Sequence, residues 1–221
     1  MTENEVWEKC RLFSGLDQEA RKRAAAFFRA EREAAARGAV LHAAGSVLPR
    51  FGLVLSGRVQ VFLDDINGLR ILMASVGPGD TFGESLALLG GESPVWILAA
   101  EETEILWLDP DALRRVPRDE FEHGMGLRFT SMVAARTLTM NFRIQALSKH
   151  SLRDKLITFL SQYAGEVGPE FTVPFDRASL AAWLGADRSA LSREIGRMRR
   201  DGLIECRGSR FRIRTGASAG E

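Results

Sequence analysis

The stretch DRSALSREIGRMRRDGLI, Asp187 to Ile204, gathers the side chains best able to do chemistry in this chain. Arg188, Arg193, Arg197, Arg199 and Arg200 fall within it, offset only by Asp187, Glu194 and Asp201. A core helix cannot hold so many cations, because an unpaired buried charge is costly. The chemistry open to a row of guanidinium groups is anion and base recognition, through paired hydrogen bonds to phosphate oxygens or to a guanine edge. Leu191, Ile195 and Met198 recur at i, i+4 and i+7, which predicts an amphipathic helix with those three inward. Ser189, Ser192, Arg193 and Gly196 then share the outward face, where small residues allow close approach. Arg193, in the second turn, is placed to reach a guanine edge. Asp187 is the predicted N-cap and leaves the helix N-terminus facing outward, favourable near a phosphate. Arg197, Arg199 and Arg200, with Arg207, Arg210 and Arg212 beyond the helix, would touch phosphate or raise the local potential.

Such a helix needs a frame. SLRDKLITFLSQYAGEVG predicts an amphipathic helix built on Leu152, Leu156, Phe159 and Leu160 and ended by Gly165 and Gly168. EFTVPF predicts a short strand. DRASLAAWLG predicts a helix capped by Asp176 and stopped at Gly185, and LIECRGSRFRIR a hairpin turning at Gly208-Ser209. Helix, helix, tight turn, helix and hairpin is the outline of a winged helix-turn-helix. A protein-binding winged helix is the alternative to a DNA-reading one.

Ahead of it, RFTSMVAARTLTMNFRIQALS belongs to a proline-free segment from Arg118 to Ser148. Val133, Thr137, Met140, Ile144 and Leu147 repeat there at coiled-coil spacing. That seam predicts pairing with a second copy; packing on the chain's own β domain is the other reading. From Gly38 to Asp109 short apolar runs alternate with turn signals. Val59, Val61 and Leu63 alternate with Gln60 and Phe62, Asn67-Gly68 marks a hairpin, Gly77–Asp80 a turn, and PVWILAAEETEILWLD two more strands. A small antiparallel barrel, roll or sandwich is expected. Residues 3–36, rich in Ala, Glu and Arg, read as helical. The fold class is therefore α+β. Residues 1–117 form an N-terminal helical segment and antiparallel β-roll, 118–148 a dimerisation helix, and 149–221 the winged helix-turn-helix.

The 221 residues carry a formal charge of +1, but unevenly. Residues 1–148 hold 17 Lys and Arg against 20 Asp and Glu, whereas residues 149–221 hold 13 against 9. A local positive excess is the footprint of a polyanion partner, nucleic acid first, or else a solvated basic surface. No apolar run approaches the ~18 residues of a membrane span. The N-terminus has no signal-peptide segment, and two distant cysteines suit a reducing compartment, so a cytoplasmic protein without membrane contact is expected.

With these residues in view, the whole chain resembles the CRP/FNR family of bacterial transcription regulators. LVLSGRVQVFL and GPGDTFGES resemble the family's cyclic-nucleotide-binding-type β-roll, and SLAAWLGADRSALSREIGRMRRDGLIE its helix-turn-helix, the most specific of the matches. The resemblance implies a homodimer on a two-fold-symmetric double-stranded DNA operator, answering a small-molecule signal sensed in the β-roll, with RNA polymerase a further candidate partner. It places Arg188, Ser189, Ser192 and Arg193 at base-reading positions; Arg197, Arg200 and Arg210, read above as phosphate contacts, complete the expected DNA-binding residues. Ser189 departs from the family, which often has Glu there. Gly83 and Glu84 match the family's GE pair, and Ser85, Pro94, Val95 and Thr139 complete the expected effector pocket. Cyclic-AMP-binding members follow that pair with an Arg-Ser/Thr-Ala element. Here Ser93-Pro94-Val95 offers no cation, and a buried phosphate without one is costly. Cyclic AMP is thus not the expected effector.

Two cysteines cannot supply the roughly four ligands of an iron–sulfur cluster. A haem would need an axial ligand from His42, His123, His150, a methionine or Cys10, and no spacing among them is diagnostic. A haem-based gas sensor of the same family and a ligand-binding module without DNA binding are the alternatives. No metal site is expected, nor an enzyme: no GxSxG, HExxH or DxDxD pattern occurs. GPGDTFGE lacks the Lys-Ser/Thr of a phosphate loop and shows no clear helix start after it.

Overall fold

The computed structural model describes residues 1–64, 66, 70–173 and 175–214, with residues 166 and 167 as backbone only. The expected Asn67-Gly68 turn lies outside the described residues. The chain forms two compact units that divide after Ala134.

The first unit opens with two short helices, α1 (Glu3–Lys9) and α2 (Gln18–Phe27). Thr2 and Glu5 close a capping box on α1, and Asp17 caps α2. The helical expectation for residues 3–36 fails beyond α2. Arg29 takes a left-handed backbone conformation (φ 45°), and Glu31–Ala35 is strand β1. EREAA is made of helix formers, but its backbone pairs from Glu31↔Trp107 to Ala35↔Thr103, and sheet hydrogen bonds outweigh a weak local preference.

Seven more strands follow: β2 (Val40–His42), β3 (Phe51–Ser56), β4 (Val59–Asp64), β5 (Arg70–Val76), β6 (Thr81–Phe82), β7 (Val95–Ala99) and β8 (Thr103–Leu108). They form two antiparallel four-stranded sheets, β1-β8-β3-β6 and β2-β7-β4-β5, the expected roll. Leu48, Val54, Val59, Val76, Phe82, Ile97, Ile105 and Trp107 make one buried cluster of the roll. Gly52 is required there: a Cβ on it would stand 2.2 Å from the Phe82 ring. A second cluster joins α1, α2, β3 and β8 to the first half of the long helix α4 (Glu120–Leu147) through Phe13, Phe28, Phe51, Met125 and Phe129. Between β6 and β7 lies α3 (Glu84–Leu89). GPGDTFGE therefore does lead into a helix, contrary to the sequence reading, but one of only six residues.

The second unit holds the rest of α4, then α5 (Leu152–Val167), β9 (Glu170–Thr172), α6 (Arg177–Trp183), α7 (Arg188–Arg200), β10 (Ile204–Arg207) and β11 (Arg210–Ile213). Gly165 lies inside α5, and Gly168 alone caps it, since α5 continues to Val167. Asp176 and Asp187 cap α6 and α7 as expected. Sheet β10-β11-β9 closes over a core of Leu156, Phe159, Leu160, Phe171, Leu180, Leu184, Leu191, Ile195, Met198 and Phe211. This is the winged helix-turn-helix outlined by the sequence.

Candidate nucleic-acid interface

Leu191, Ile195 and Met198 are buried on α7, and Arg188, Ser189, Ser192, Arg193, Arg197, Arg199 and Arg200 are exposed. Ser189, Ser192 and Arg193 are thus outward as the spacing predicts, whereas Gly196, expected beside them, is half-buried. At its N-terminus Oδ1 of Asp187 accepts from the amides of Ser189 (2.7 Å) and Ala190 (3.1 Å) and from the Ser189 hydroxyl. Those bonds, the hydroxyl first, hold the Asp187 carboxyl below its usual range. Nη1 of Arg193 donates to Ser189 Oγ at 3.2 Å.

The arginines fall into two sets. Arg197 pairs with Glu194 at 3.2 Å, Arg210 with Glu170 at 2.9 Å, Arg212 with the same Glu170 at 3.5 Å, and Arg214 with Glu205 at 2.6 Å. Arg188, Arg193, Arg199, Arg200 and Arg207 make no ion pair within 4 Å among the described residues. Strand alternation puts Arg207, Arg210 and Arg212 on the outer face of the wing, and Cys206 and Phe211 on the inner. A groove of about 470 Å³ is lined by Arg199, Arg207, Arg210, Arg212 and Arg214 with Glu170 and Glu205.

Sequence reasoning missed what lies beneath α7. Glu194 is only 8% exposed and accepts from Arg153 Nε at 2.7 Å, while the same guanidinium reaches Asp201 at 2.7 Å. Arg153, on α5, thereby fastens α7 in its second turn and at its C-cap. The signal was present: Leu191, Glu194, Ile195 and Met198 follow i, i+3, i+4, i+7, so Glu194 falls on the inward face and needs a cation. Arg177 supports the wing, donating to Cys206 Sγ (2.8 Å) and to the Gly208 carbonyl (2.9 Å).

The expected effector residues are dispersed. Gly83 caps α3 with φ 79°, and a Cβ there would stand 2.4 Å from Leu48 Cδ2. Glu84 is buried and accepts the hydroxyl of Thr81, itself 3.7 Å from Met132 Sδ on α4. Val95 packs half-buried against the roll cluster, while Ser85 and Pro94 are exposed. Thr139 is exposed in the second unit and donates to the Ala135 carbonyl at 3.1 Å. Ser93 is buried; its Oγ accepts the Val95 amide at 3.3 Å, and its backbone bonds to Gly45 and Ser46. His42 is buried, with Nδ1 3.3 Å from Ser46 Oγ and, among the described residues, no partner at Nε2; His123 and His150 are exposed. On α4, Met140 and Ile144 are 60% and 62% exposed and Thr137 is exposed. Val133 packs partly on the first unit's core, and Leu147 lies beside Gly185.

A β-roll followed by a winged helix-turn-helix with a cationic exposed face is the architecture of a DNA-binding regulator. Comparison with known proteins agrees. Residues 32–120 match the cyclic nucleotide-binding domain, and residues 154–216 the Crp-like helix-turn-helix domain. The cyclic AMP receptor protein of Thermus thermophilus is 27% identical over 198 residues, covering 87% of each chain. In fold the chain is similar to a mutant of CooA from Carboxydothermus hydrogenoformans (TM-score 0.59, 20% identity, 85% of each chain). It is similar as well to FixK2 from Bradyrhizobium japonicum (TM-score 0.54, 18% identity, 84% of this chain and 93% of that one). The chain belongs to the CRP/FNR family of transcription regulators. Among the described residues no helix is long and apolar enough to cross a membrane.

Proposed function

We propose that this regulator is a homodimer that reads a two-fold-symmetric operator with α7 and answers a signal received in the β-roll. The observation that carries the reading is the face of α7 itself. Arg188, Ser189, Ser192 and Arg193 are exposed opposite the buried Leu191, Ile195 and Met198. In a helix lying in the major groove that face meets base edges, while Arg197, Arg200 and Arg210 lie where phosphate is nearest. The exposed apolar residues of α4 support the dimer, whose two-fold axis an operator would share.

The test is selection of binding sites from random duplexes by wild type, Arg193→Ala and Arg210→Ala, followed by salt titration. Loss of a bidentate arginine–guanine pair costs about 1–3 kcal/mol per half-site and relaxes one base position. Arg210→Ala should leave the selected sequence unchanged and lower the salt slope by roughly one unit for each phosphate no longer neutralised. An Arg193→Ala protein that selects the same site with the same stringency would remove α7 as the reader.

The name of the Thermus relative gives cyclic AMP as that protein's ligand. Carrying it over is opposed by the lack of a cation at Ser93, Pro94 and Val95 to neutralise a cyclic phosphate. We assign this chain a different effector.

A further inference from the structure

The residues of the α7 reading face do unequal work. The Ser189 hydroxyl has one proton, and that proton is given to Asp187 Oδ1. Its oxygen keeps only lone pairs, and Arg193 Nη1 fills one at 3.2 Å. Ser189 and Arg193 stand four residues apart, one turn along the same face. Asp187, Ser189 and Arg193 therefore form a polarised chain: the carboxylate draws the hydroxyl proton, which makes Oγ a better acceptor for the guanidinium. Two backbone amides hold the carboxylate in turn, so the near end of the chain is anchored to the helix start. Arg193 spends one of its five N–H donors on this bond and keeps the rest of the fork for a ligand. A serine whose proton is committed can only accept, so it cannot donate to the N7, O6 or O4 acceptors of the major groove.

We infer that Ser189 is a positioning residue rather than a base reader, and that with Asp187 it sets the specificity of Arg193 by holding the guanidinium in one orientation. This deepens, and rests on, the reading of α7 as the groove helix. It also explains how a serine serves at a position where the family often has glutamate. An acid there would hold the arginine by its own charge; here the N-cap supplies the charge and the serine relays it.

The experiment is site selection from random duplexes, with affinity measured on the wild-type site and its single-base variants. The proteins are wild type, Ser189→Ala, Ser189→Thr, Arg193→Ala and the double variant Ser189→Ala/Arg193→Ala, each checked by thermal melting. Ser189→Ala should lose about three- to tenfold in discrimination, the scale of one hydrogen bond, at the same base position that Arg193→Ala relaxes. The double variant should be no worse than Arg193→Ala alone, and Ser189→Thr, which keeps the hydroxyl, should restore the wild-type profile. If Ser189→Ala alters a second base position, or if the two losses add, Ser189 reads a base itself and the inference is overturned. If Ser189→Ala leaves discrimination intact while Arg193→Ala does not, the inference alone is overturned. If Arg193→Ala changes nothing, the reading of α7 falls, and the inference with it.

Discussion

Cys10 and Cys206 differ in a way that solution chemistry can read. Cys10 is buried among Val6, Leu12 and Phe13, and burial pushes its thiol up to about 11. Cys206 is half-buried in the wing beside Arg177. A thiol-reactive dye at pH 8 should therefore label one thiol in the native protein, at Cys206, and two after denaturation. Labelling of both at equal rates without denaturant would mean that the α1 region opens readily. Because the Cys10 pKa is raised, the folded chain holds that proton longer than the unfolded one, so stability should fall as pH rises from about 9 through 11. Single residues were legible in the sequence where periodicity placed them: Leu191, Ile195 and Met198 are inward as their spacing requires. The partners of Arg210 and Arg212 were not, because Glu170 comes from another strand about forty residues away and no local pattern links them.

Among the elements, α4 carries the clearest unfinished surface. Met140 and Ile144 stand on the expected seam with more than half of each side chain exposed, and neither is charged, so exposure in a lone chain costs apolar burial. Met140→Asp with Ile144→Asp should yield a monomer of 24.4 kDa with little operator affinity, since half-sites would no longer be bound together. Light scattering that still reports a dimer would place the seam elsewhere on the helix. Elements were legible where one signal dominated. The caps at Asp176 and Asp187, the stop at Gly185 and the Gly208-Ser209 turn all stand where the sequence puts them. Strand β1 was not legible, because EREAA is helical in every local respect and becomes a strand only through β8, some seventy residues on. The six-residue α3 escaped notice because it is too short to show a period.

At the scale of the whole molecule the two halves of the chain differ in charge. The net is negative over residues 1–148 and positive over 149–221. Operator affinity should therefore fall steeply with salt, whereas Ser93-Pro94-Val95 of the roll offers a phosphate no cation. Calorimetry with cyclic AMP should accordingly show no binding at physiological concentrations. Micromolar affinity would mean that some group other than Ser93-Pro94-Val95 neutralises the phosphate. The architecture itself was the most legible part of the chain. Turn residues and alternating strands announce a roll, and the helix–helix–hairpin order announces a wing, because both depend on local signals repeated many times. The effector is the least legible, because a pocket is defined by side chains from distant strands, and Glu84, the residue most expected to face a ligand, is buried against Thr81.

The ion pairs of the wing carry a consequence for proton traffic. Arg214 holds the Glu205 carboxyl below its usual range. If the arginine turns to a phosphate, that hold is lost and the glutamate also gains an anionic neighbour, so its proton affinity rises. Complex formation should then take up protons in mildly acidic solution, and apparent affinity should strengthen as pH falls toward the ordinary glutamate value of about 4.3. Titration calorimetry near pH 5 in buffers of different ionisation enthalpy should give heats that diverge by the number of protons absorbed, and Glu205→Gln should narrow that divergence. Equal heats in all buffers would show that Arg214 keeps its glutamate when DNA is bound.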